Sequence, residues 1–397
     1  MDDCVITVVG LDGSPLSPVA VERMSTASLV MGGRRHLREI PVPEHVPTVA
    51  LRDDPAEALR AVLEAPGDVV VLASGDPGFF GVLRLLRARV PAERLEVLPA
   101  VSSVALAFAR AALPWDDAVV VSAHGRDLRP AVAACRAHGK VAVLTSQGAG
   151  PAELAAALGD LPRKVVVAER LALEGERVSV LTPAEVAARD DWDPLNVVLV
   201  VDEARAVAQD KGWLAGRAQP SGWALPEKAF AHRDGMVTKA EVRALVLARL
   251  GPRLGELVWD VGAGSGSVAV ECARLGAAVV AVEQGDTAHL EANVEAHGVD
   301  VQVVRGEAPA ALKALPDPDA VFVGGGGLDV VRAVVERGPQ RVVVALATLE
   351  RVGPVLEALA DYDAEAVLLE AQRLQPLGSG HRLAPANPVF VVSGARA

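Results

Sequence analysis

A glycine-rich loop between a hydrophobic run and a helical run restricts the fold of this chain more than any other feature. The loop Asp260-Val-Gly-Ala-Gly-Ser-Gly266 ends the strand-like run Leu257–Val261 and directly precedes an apolar stretch typical of a helix. Glycines there allow a tight turn and a close approach of a ligand to the backbone, and a helix begins with unpaired N–H groups. The pattern therefore predicts a nucleotide-type site at a strand end of an α/β fold.

The rest of the second half alternates between strand-like and helical runs. Thr238 and Glu241 have the spacing of a capping box ahead of a helix over Val242–Leu250. Two final extended runs, Glu365–Leu374 and Pro388–Ser393, predict an antiparallel pair that closes the sheet edge, joined by a Gly/Pro-rich stretch. The other predicted strands are Leu257–Val261, Val279–Val282, Val301–Val304, Ala320–Val323 and Arg341–Ala345.

The first half has the same alternation, which predicts a largely parallel sheet covered by helices. A Gly/Pro-rich segment predicts a linker over 209–226 between two domains, 1–208 and 227–397. The predicted helices are Pro55–Glu64, Val101–Ala112 and Leu128–Ala137. The predicted strands are Val5–Val9, Val69–Ala73, Leu95–Leu98, Ala118–Ser122, Val141–Leu144, Lys164–Ala168 and Asn196–Val201.

Composition excludes several classes of protein. The net charge of -12 over 397 residues argues against a general binder of nucleic acid, because neutralising phosphates requires a basic face. No apolar run approaches the ~18 residues of a membrane span, and the acidic start is unlike a secretory signal, so we expect a cytoplasmic protein without a membrane partner. The 3 cysteines form no CxxC pair and the histidines no HExxH motif, so no metal site is predicted.

Acidic residues at successive strand ends indicate which cofactor the glycine loop binds. Asp260 opens the loop, and Glu283 ends the next strand, where a carboxylate can accept the hydroxyls of a ribose. After the third strand comes Gly306-Glu307-Ala308, placed where an adenine edge would meet a carboxylate and a backbone N–H. This combination fits S-adenosylmethionine better than NAD. If the glycines served only to pack a helix on a sheet, the acidic residues would have no explanation.

The sequence after the fourth strand bears on the methyl acceptor. Methyltransferases acting on amino groups of bases commonly have an Asn/Asp-Pro-Pro-aromatic motif there, whereas this chain has Val323-Gly-Gly-Gly-Gly327. A bare glycine loop offers no acceptor for an amine proton. It favours a large, flat substrate lying against the backbone.

Motifs of the first half occur in a recognisable order. They are Val8-Val-Gly10, Ser74-Gly-Asp-Pro-Gly-Phe-Phe-Gly81, Pro99-Ala-Val-Ser-Ser103 and Ser122-Ala-His-Gly-Arg126. Each alone is an ordinary turn or helix cap. In this order they closely resemble the tetrapyrrole methylase family, whose fold differs from that of the second half and which also uses S-adenosylmethionine.

The second half resembles the methyltransferases of the cobalamin pathway that also decarboxylate. The motifs are Gly235-Met-Val-Thr-Lys-Ala-Glu-Val-Arg243, the Asp260–Gly266 loop and Val323-Gly-Gly325. The two halves in this order resemble the fused methyltransferases of aerobic vitamin B12 synthesis. That resemblance implies a tetrapyrrole-methylase-type α/β domain followed by a Rossmann-like class I methyltransferase domain. It also implies methylation of precorrin-6B at carbons 5 and 15, with decarboxylation of the ring C acetate, giving precorrin-8X.

The resemblance assigns one S-adenosylmethionine site to each domain. The implied C-terminal site residues are Thr238, Gly262, Ala263, Gly264, Ser265, Gly266, Glu283 and Ala308. The implied N-terminal site residues are Gly10, Gly75, Asp76, Phe79, Ser102 and Ser103. The chain departs from the family at two positions. The first loop, Gly10-Leu-Asp12, is shorter than the corresponding loop of related sequences, and Glu307 stands where Asp is common.

The ring carboxylates of a precorrin need local cations, because the protein is acidic overall. The candidate cations are Arg34, Arg35, His36, Arg126, His232, Arg233, Lys239, Arg243, His381 and Arg382. Gly324 and Gly325, in the loop after the fourth strand, are further candidates for contact with the substrate. No catalytic acid or base is identified. Two alternatives remain, which are a different tetrapyrrole or other acceptor, and an N-terminal half that has decayed into an assembly module. The resemblance also suggests a homo-oligomer formed through the C-terminal domain.

Overall fold

The computed structural model describes residues 4–51, 55–207, 215–216, 220, 222–233 and 236–396. Most of the predicted linker 209–226, and Gly235 of the motif before the second half, lie outside the described residues. The chain divides into two compact units. The first comprises Met1–Asp116, Ser122–Arg126 and Ala142–Lys211, and the second comprises Asp117–Val121, Asp127–Val141 and Gly212–Ala397.

Short strands and helices alternate along both units, and the fold class is α/β, as the sequence predicts. The strands are β1 Ile6–Leu11, β2 Leu29–Gly33, β3 Thr48–Leu51, β4 Val69–Ser74, β5 Leu95–Leu98, β6 Val119–Ser122, β7 Lys140–Leu144, β8 Lys164–Glu169, β9 Arg177–Leu181, β10 Asn196–Val201, β11 Leu257–Val261, β12 Ala278–Glu283, β13 Gln302–Arg305, β14 Ala320–Val323, β15 Arg341–Leu346, β16 Asp363–Leu369, β17 Gln372–Leu377, β18 Gly380–Pro385 and β19 Val389–Ala395.

The helices predicted from the sequence are all present in the structure. The observed helices are α1 Pro18–Thr26, α2 Arg34–Glu39, α3 Pro55–Glu64, α4 Leu83–Arg87, α5 Ser103–Arg110, α6 Arg129–Ala137, α7 Pro151–Leu158, α8 Pro183–Ala187, α9 Ala240–Leu250, α10 Ser267–Arg274, α11 Ala288–Ala296, α12 Leu328–Glu336 and α13 Val352–Ala358. Among the predicted ones, α3 has the predicted bounds, α5 and α6 are shorter than predicted, and α9 begins two residues earlier.

The first sheet of the first unit is parallel, with the order β3-β2-β4-β1-β5. Its central strands β1 and β4 consist mainly of Val, Ile and Leu, and most of their residues on both faces are buried, the pattern expected of a parallel sheet covered by helices. All strands are parallel, so the carboxyl ends of β1, β4 and β5 meet at one edge.

A second sheet of the first unit contains β7, β10, β8 and β9 in that order. Here β10 and β9 both run antiparallel to β8. The prediction of a largely parallel sheet for this half is therefore confirmed for the first sheet and wrong for the second. The runs of β7, β8 and β10 were located to within one residue, whereas β9 was not predicted. The direction of a strand depends on connections that a run of valines does not encode.

The second unit is built around a seven-stranded sheet with the order β13-β12-β11-β14-β15-β19-β16. The strands from β13 to β15 are parallel, and β19 pairs antiparallel with both β15 and β16. The predicted antiparallel pair at the sheet edge is thus confirmed. Helix α10 follows β11 directly, which places the glycine loop at the carboxyl end of a central strand.

The stretch that joins β16 to β19 is a β-hairpin, whereas the sequence predicts one extended run, Glu365–Leu374, followed by a Gly/Pro-rich connection. Strands β17 and β18 pair antiparallel in a separate two-stranded sheet, and their side chains are mostly exposed. Pro376 and Pro385 lie within these strands, and proline normally weakens a strand prediction because it lacks an N–H donor.

The predicted capping box at the start of the long helix does not form. Helix α9 begins at Ala240 with Lys239 at the N-cap position, and among the described residues the side chain at that position forms no capping hydrogen bond. Glu241 instead binds Arg373 of β17. Among the described residues, none of the helices has the length and apolar character needed to cross a membrane.

Candidate cofactor and substrate sites

In the second unit, the loop between β11 and α10 lies against the loop that follows β14. Gly262 has φ +73°, and a Cβ at this position would lie 2.7 Å from the backbone nitrogen of Gly325. The amide of Gly324 donates to the carbonyl of Val261. Only glycine at 262 allows this approach, so two of the predicted loops, including the predicted substrate residues Gly324 and Gly325, form one surface.

Glu283, at the end of β12, binds the glycine loop directly. Its Oε2 accepts from the Gly264 amide at 2.8 Å, and its Oε1 accepts from the Gly285 amide at 2.8 Å. The Gly306 amide donates to the Glu283 carbonyl, which brings the third loop to the same edge. The carboxylate is partly exposed and each of its oxygens retains accepting capacity, so it can also accept hydroxyl groups of a ligand.

Asp260 lies beneath this loop and is 1% exposed. Its Oδ2 accepts from the Ala269 amide at 2.9 Å, whereas its Oδ1 has no hydrogen-bond partner in the part of the chain that the structure describes. Burial raises the pKa of this carboxyl group to about 7. A buried carboxylate oxygen without a partner is suited to compensating positive charge in a ligand.

Asn293 of α11 fastens the loop to the segment before α9. Its Nδ2 donates to the carbonyls of Ser265 and Ala231, both at 2.8 Å, and its Oδ1 accepts from the Ala231 amide at 2.7 Å. The side chain is 2% exposed. The predicted loop residue Ser265 is also buried. Asn293 binds its backbone carbonyl, so this contact holds the backbone of Ser265 in place and does not involve its hydroxyl.

Arg243 contradicts its predicted role as a ligand of substrate carboxylates. Its side chain is fully buried, pairs with the equally buried Glu271, and donates to the backbone carbonyls of Thr238 and Leu225. A guanidinium enclosed in this way cannot reach a ligand. The side chain of Arg243 instead holds Thr238, another predicted site residue, just before α9.

The remaining predicted residues of the second unit are distributed along the loops and the hairpin. Ala308 is half-buried after β13, and Gly266 is the N-cap of α10. His381 and Arg382 are exposed on β18, where Arg382 contacts Gln375 of the opposing strand. His232 is half-buried and Arg233 is exposed, both in the segment before α9. In the part of the chain that the structure describes, no hydrogen bond or ion pair joins these four side chains to the glycine loops.

The first unit contains a cavity of about 380 Å³ at the carboxyl ends of β1 and β4. Gly10 and Gly75 meet there so closely that a Cβ on Gly10 would lie 2.6 Å from the Gly75 carbonyl oxygen. The predicted residues that line the cavity are Arg35, Gly75 and Ser103, together with Asp12 of the short first loop.

Asp12 joins two of the loops at this edge. Its Oδ2 accepts from the Val101 amide at 3.2 Å, and its Oδ1 accepts from the Ser14 amide at 3.0 Å. Ser102 caps α5 by accepting from the Ala105 amide. Asp76 accepts from the Gly78 amide at 2.7 Å, and the ring of Phe79 packs edge-on against Phe80. The short first loop therefore still reaches the β5–α5 loop.

The predicted cations of the first unit have different surroundings. Arg34 and Arg126 are exposed, whereas Arg35 reaches the cavity and His36 is 6% exposed behind it. Several further polar residues line the cavity. Ser74 and His124 belong to motifs of the first half but were not predicted as site residues. The others were not predicted because they come from the ends of strands far apart in the chain, and they are Thr145, Ser146, Gln147, Arg170 and Asn196.

Comparison with known proteins identifies the family. Residues 7–187 match the model of the tetrapyrrole (corrin/porphyrin) methylases, and residues 228–396 match the precorrin methyltransferase domain. A precorrin-6Y C(5,15)-methyltransferase [decarboxylating] from Sinorhizobium sp is 36% identical over 97% of this chain and 94% of its own length. The chain belongs to the precorrin-6Y C(5,15)-methyltransferase family. Its motifs are thus those of a decarboxylating methyltransferase.

Each half of this family member also has separate relatives. A probable cobalt-precorrin-6B C(15)-methyltransferase (decarboxylating) from Pyrobaculum calidifontis is 38% identical over 43% of this chain and 94% of its own length. A cobalt-precorrin-7 C(5)-methyltransferase from Salmonella typhimurium is 33% identical over 50% of this chain and the whole of its own length. The fused chain therefore combines two units that occur singly elsewhere.

The precorrin methyltransferase family uses S-adenosylmethionine, and the residues of the second unit fit that cofactor. The unpartnered Oδ1 of Asp260 is buried beneath the loop, and a Cβ on Gly264 would meet nothing within 4 Å, so the loop leaves space at that position. The exposed side of Glu283 supplies an acceptor for hydroxyl groups. A cationic ligand with a ribose matches this set of acceptors.

Proposed function

We propose that this chain methylates precorrin-6B at carbons 5 and 15 and decarboxylates the ring C acetate, giving precorrin-8X in cobalamin synthesis. The observation that carries the proposal is the similarity to the Sinorhizobium enzyme, which extends over 97% of the chain. The arrangement of two separate glycine-lined sites in one chain supports it, since two methyl groups must be transferred to different carbons.

We assign carbon 15 and the decarboxylation to the C-terminal half, and carbon 5 to the N-terminal half. The two single-unit relatives support this division, because each aligns with one half and is named for one of the two positions. The domain limits that we propose are 1–208 and 227–397, with 209–226 as the linker. The family matches support these limits, since they end at residue 187 and resume at residue 228.

In the C-terminal half, the chain positions the reactants and supplies little acid–base chemistry. S-adenosylmethionine, when bound, supplies a methyl group activated by a sulfonium. Glu283 and the loop amides bind and orient the cofactor, and the glycine surface at Gly324 and Gly325 allows a flat macrocycle to approach the backbone. Holding a nucleophile in line within about 3 to 3.5 Å of the methyl carbon accounts for much of such a rate enhancement.

The substrate supplies its own reactivity for both reactions. An enamine-like meso carbon of a reduced tetrapyrrole attacks a sulfonium without a metal. Loss of carbon dioxide from an acetate needs an electron sink, which a protonated, conjugated imine of the ring provides. In the N-terminal half, Arg35 and Arg170 reach the cavity and are the cations that we assign to the ring carboxylates.

We further propose one S-adenosylmethionine site in each half. In the N-terminal half, the contact of Asp12 with Val101 supports this, because the short first loop still completes the edge where β1, β4 and β5 end. Calorimetry should give two equivalents of bound cofactor per chain. A single equivalent would favour the alternative that the N-terminal half has become an assembly module.

We propose that the chain forms a homo-oligomer through its C-terminal half. The hairpin of β17 and β18 supports it, because Leu374, Leu377 and Leu383 are each more than 60% exposed there. Light scattering should detect an oligomer, and a Leu374→Lys/Leu383→Lys variant should yield a smaller species that keeps its far-ultraviolet spectrum.

Mass spectrometry of the products tests the central proposal. Purified protein is incubated with S-adenosylmethionine and precorrin-6B, and the expected product has gained two methyl groups and lost one carbon dioxide. If the macrocycle is unchanged while both cofactor equivalents bind, the acceptor is a different tetrapyrrole or another compound. Incubation with related tetrapyrroles then identifies it by the same gain in mass.

A further inference from the structure

A serine, a histidine and an arginine form a hydrogen-bonded group at the wall of the N-terminal cavity. Ser74 ends β4, is exposed, and lines the cavity. Its Oγ lies 3.0 Å from Nε2 of His36 on α2, and Nη2 of Arg35 lies 2.9 Å from the same nitrogen. His36 is buried behind Ser74, so the hydroxyl separates the imidazole from the cavity.

The partners of Nε2 determine the protonation state of His36. A guanidinium can only donate hydrogen bonds, so Nε2 must accept from Arg35 and cannot carry a proton. The imidazole is therefore neutral, with its proton on Nδ1, a buried nitrogen that has no hydrogen-bond partner among the described residues. Nε2 has a single lone pair, so the hydroxyl proton of Ser74 shares it with the N–H of Arg35, and the lone pairs of Oγ point away from the imidazole. This is the arrangement of a hydroxyl backed by a base.

We propose that Ser74, backed by His36, takes up the proton that the macrocycle releases when carbon 5 is methylated. This inference rests on the proposed assignment of carbon-5 methylation to the N-terminal half. Ser74 is the group that touches the substrate, and His36 acts through it as the base. The ligand is a macrocycle with an acidic C–H or N–H after methyl transfer, which is a property of tetrapyrroles in general.

The balance of the reaction requires that the macrocycle lose a proton to some acceptor. A bond forms between carbon 5 and the methyl carbon, and the bond from that carbon to sulfur breaks with its electron pair remaining on sulfur. The positive charge of the sulfonium thereby passes to the macrocycle as a conjugated iminium. The macrocycle becomes neutral again when a proton leaves to Oγ of Ser74, while the hydroxyl proton of Ser74 moves to Nε2 of His36.

The charges around His36 suit a base that is neutral at rest. Burial of the ring, and after it the charge of Arg35, lower the pKa of His36, and Glu39 acts in the opposite direction. Both charged residues lie on α2, and Arg35 also pairs with Glu39 at 3.1 Å, while the neighbouring strand β4 contributes the uncharged hydroxyl of Ser74. When Nε2 receives a proton, its contact with Arg35 must break, whereas Glu39 remains to compensate the imidazolium.

Single-turnover transfer of a ¹³C-labelled methyl group, resolved at carbons 5 and 15 by NMR, tests the proposal. Ser74→Ala and His36→Asn should each slow labelling of carbon 5 by about 100-fold at saturating cofactor and substrate, and leave carbon 15 unchanged. Ser74→Thr, which keeps the hydroxyl, should restore most of the rate. Ser25→Ala and His45→Asn are matched controls on the exposed surface of the same unit, and their rates should equal that of the wild type.

The pH dependence separates a base from a structural residue. The wild-type rate at carbon 5 should fall as the pH drops through the pKa of His36, and this acid limb should be absent in His36→Asn. Arg35→Gln should move the acid limb to higher pH, because Arg35 lowers the pKa of His36. A slower variant that keeps the wild-type acid limb would overturn the proposal.

The protonation state of His36 can be measured without the reaction. Histidine labelled with ¹⁵N should show one imidazole, absent from His36→Asn, that is neutral at pH 7 with its proton on Nδ1. An imidazolium, or a proton on Nε2, overturns the relay. A wild type that never labels carbon 5 overturns the proposed function and with it the reaction assigned to Ser74. Unchanged labelling in Ser74→Ala, with an active wild type, overturns this inference alone.

Discussion

Nε of Arg243 and Oε1 of Glu271 lie 3.4 Å apart, and neither side chain is exposed. The pair joins α9 to α10, and Leu225 contacts both partners, since its amide donates to Glu271 and its carbonyl accepts from Arg243. Arg274 binds the second oxygen of Glu271 at 3.0 Å. The segment before α9 is therefore fastened to the helix that follows the glycine loop by a buried ionic contact.

Removing one member of this pair should strongly destabilise the second unit, because an uncompensated buried charge remains. We expect Glu271→Gln and Arg243→Met each to lower the free energy of unfolding by about 3 to 5 kcal/mol. Denaturant titration followed by circular dichroism measures this. The double variant should lose clearly less than the sum of the two single losses. As a control, Arg253→Gln removes a cation that is 70% exposed and should change the free energy of unfolding by less than about 1 kcal/mol.

Asp260→Asn should make stability less dependent on pH. The pKa of Asp260 is about 7 in the folded protein and 3.8 as an ordinary value, so the folded state binds more protons in between, and its stability falls as the pH rises through this range. The variant should have nearly wild-type stability at pH 4 and exceed it by about 4 kcal/mol at pH 8. If the difference in unfolding free energy between the variant and the wild type were the same at pH 4 and pH 8, the raised pKa of Asp260 would be contradicted.

Charge at position 264 should affect the C-terminal site alone. Gly264 has φ +54°, a conformation that Asn and Asp tolerate, and a Cβ there meets nothing within 4 Å. Gly264→Asp and Gly264→Asn have nearly the same shape, but only Asp places a second carboxylate beside Glu283. We expect Asp to weaken cofactor binding in the C-terminal half at least about tenfold more than Asn.

Calorimetry and labelling of carbon 15 measure this effect. Binding to the N-terminal half and labelling of carbon 5 serve as internal controls and should not change. Equal losses from Asn and Asp would mean that the loop responds to strain and not to charge.

Asn293→Ala should release the segment before α9. The substitution removes three hydrogen bonds, each worth about 1 kcal/mol, so we expect a loss of about 3 kcal/mol in stability. Hydrogen exchange should accelerate at the Ala231 amide, which now donates to Asn293. His289→Ala, exposed on the same helix, should leave exchange there unchanged. Slow exchange in Asn293→Ala would show that other contacts hold the segment.

The glycine loop and its neighbouring strands could be predicted from the sequence because their signals are local. The predicted bounds of β11 and β14 agree with the structure, since each is an unbroken run of buried residues. Strands β2 and β9 were not predicted, for two different reasons. The first contains two glycines, and the second is half-exposed, so neither shows a strong apolar run.

The environment of a charged residue could not be predicted in the same way. Arg243 follows Thr238 and Lys239 in a motif rich in site residues, and nothing in that pattern reveals that it is buried against Glu271 of another helix. Likewise, Thr145 and Arg170 reach the N-terminal cavity only because strands of a second sheet end there. Contacts between residues far apart in the chain decided both cases.

The contact between Gly262 and Gly325 also limits how such a site can evolve. A side chain at Gly262 would collide with the backbone of the other loop, so exchange of residues there cannot reshape the floor of the site. A lineage that acquires a differently shaped acceptor must therefore do so by lengthening loops or by remodelling other strand ends. Insertions, more than substitutions, should distinguish descendants of this fold that act on other molecules.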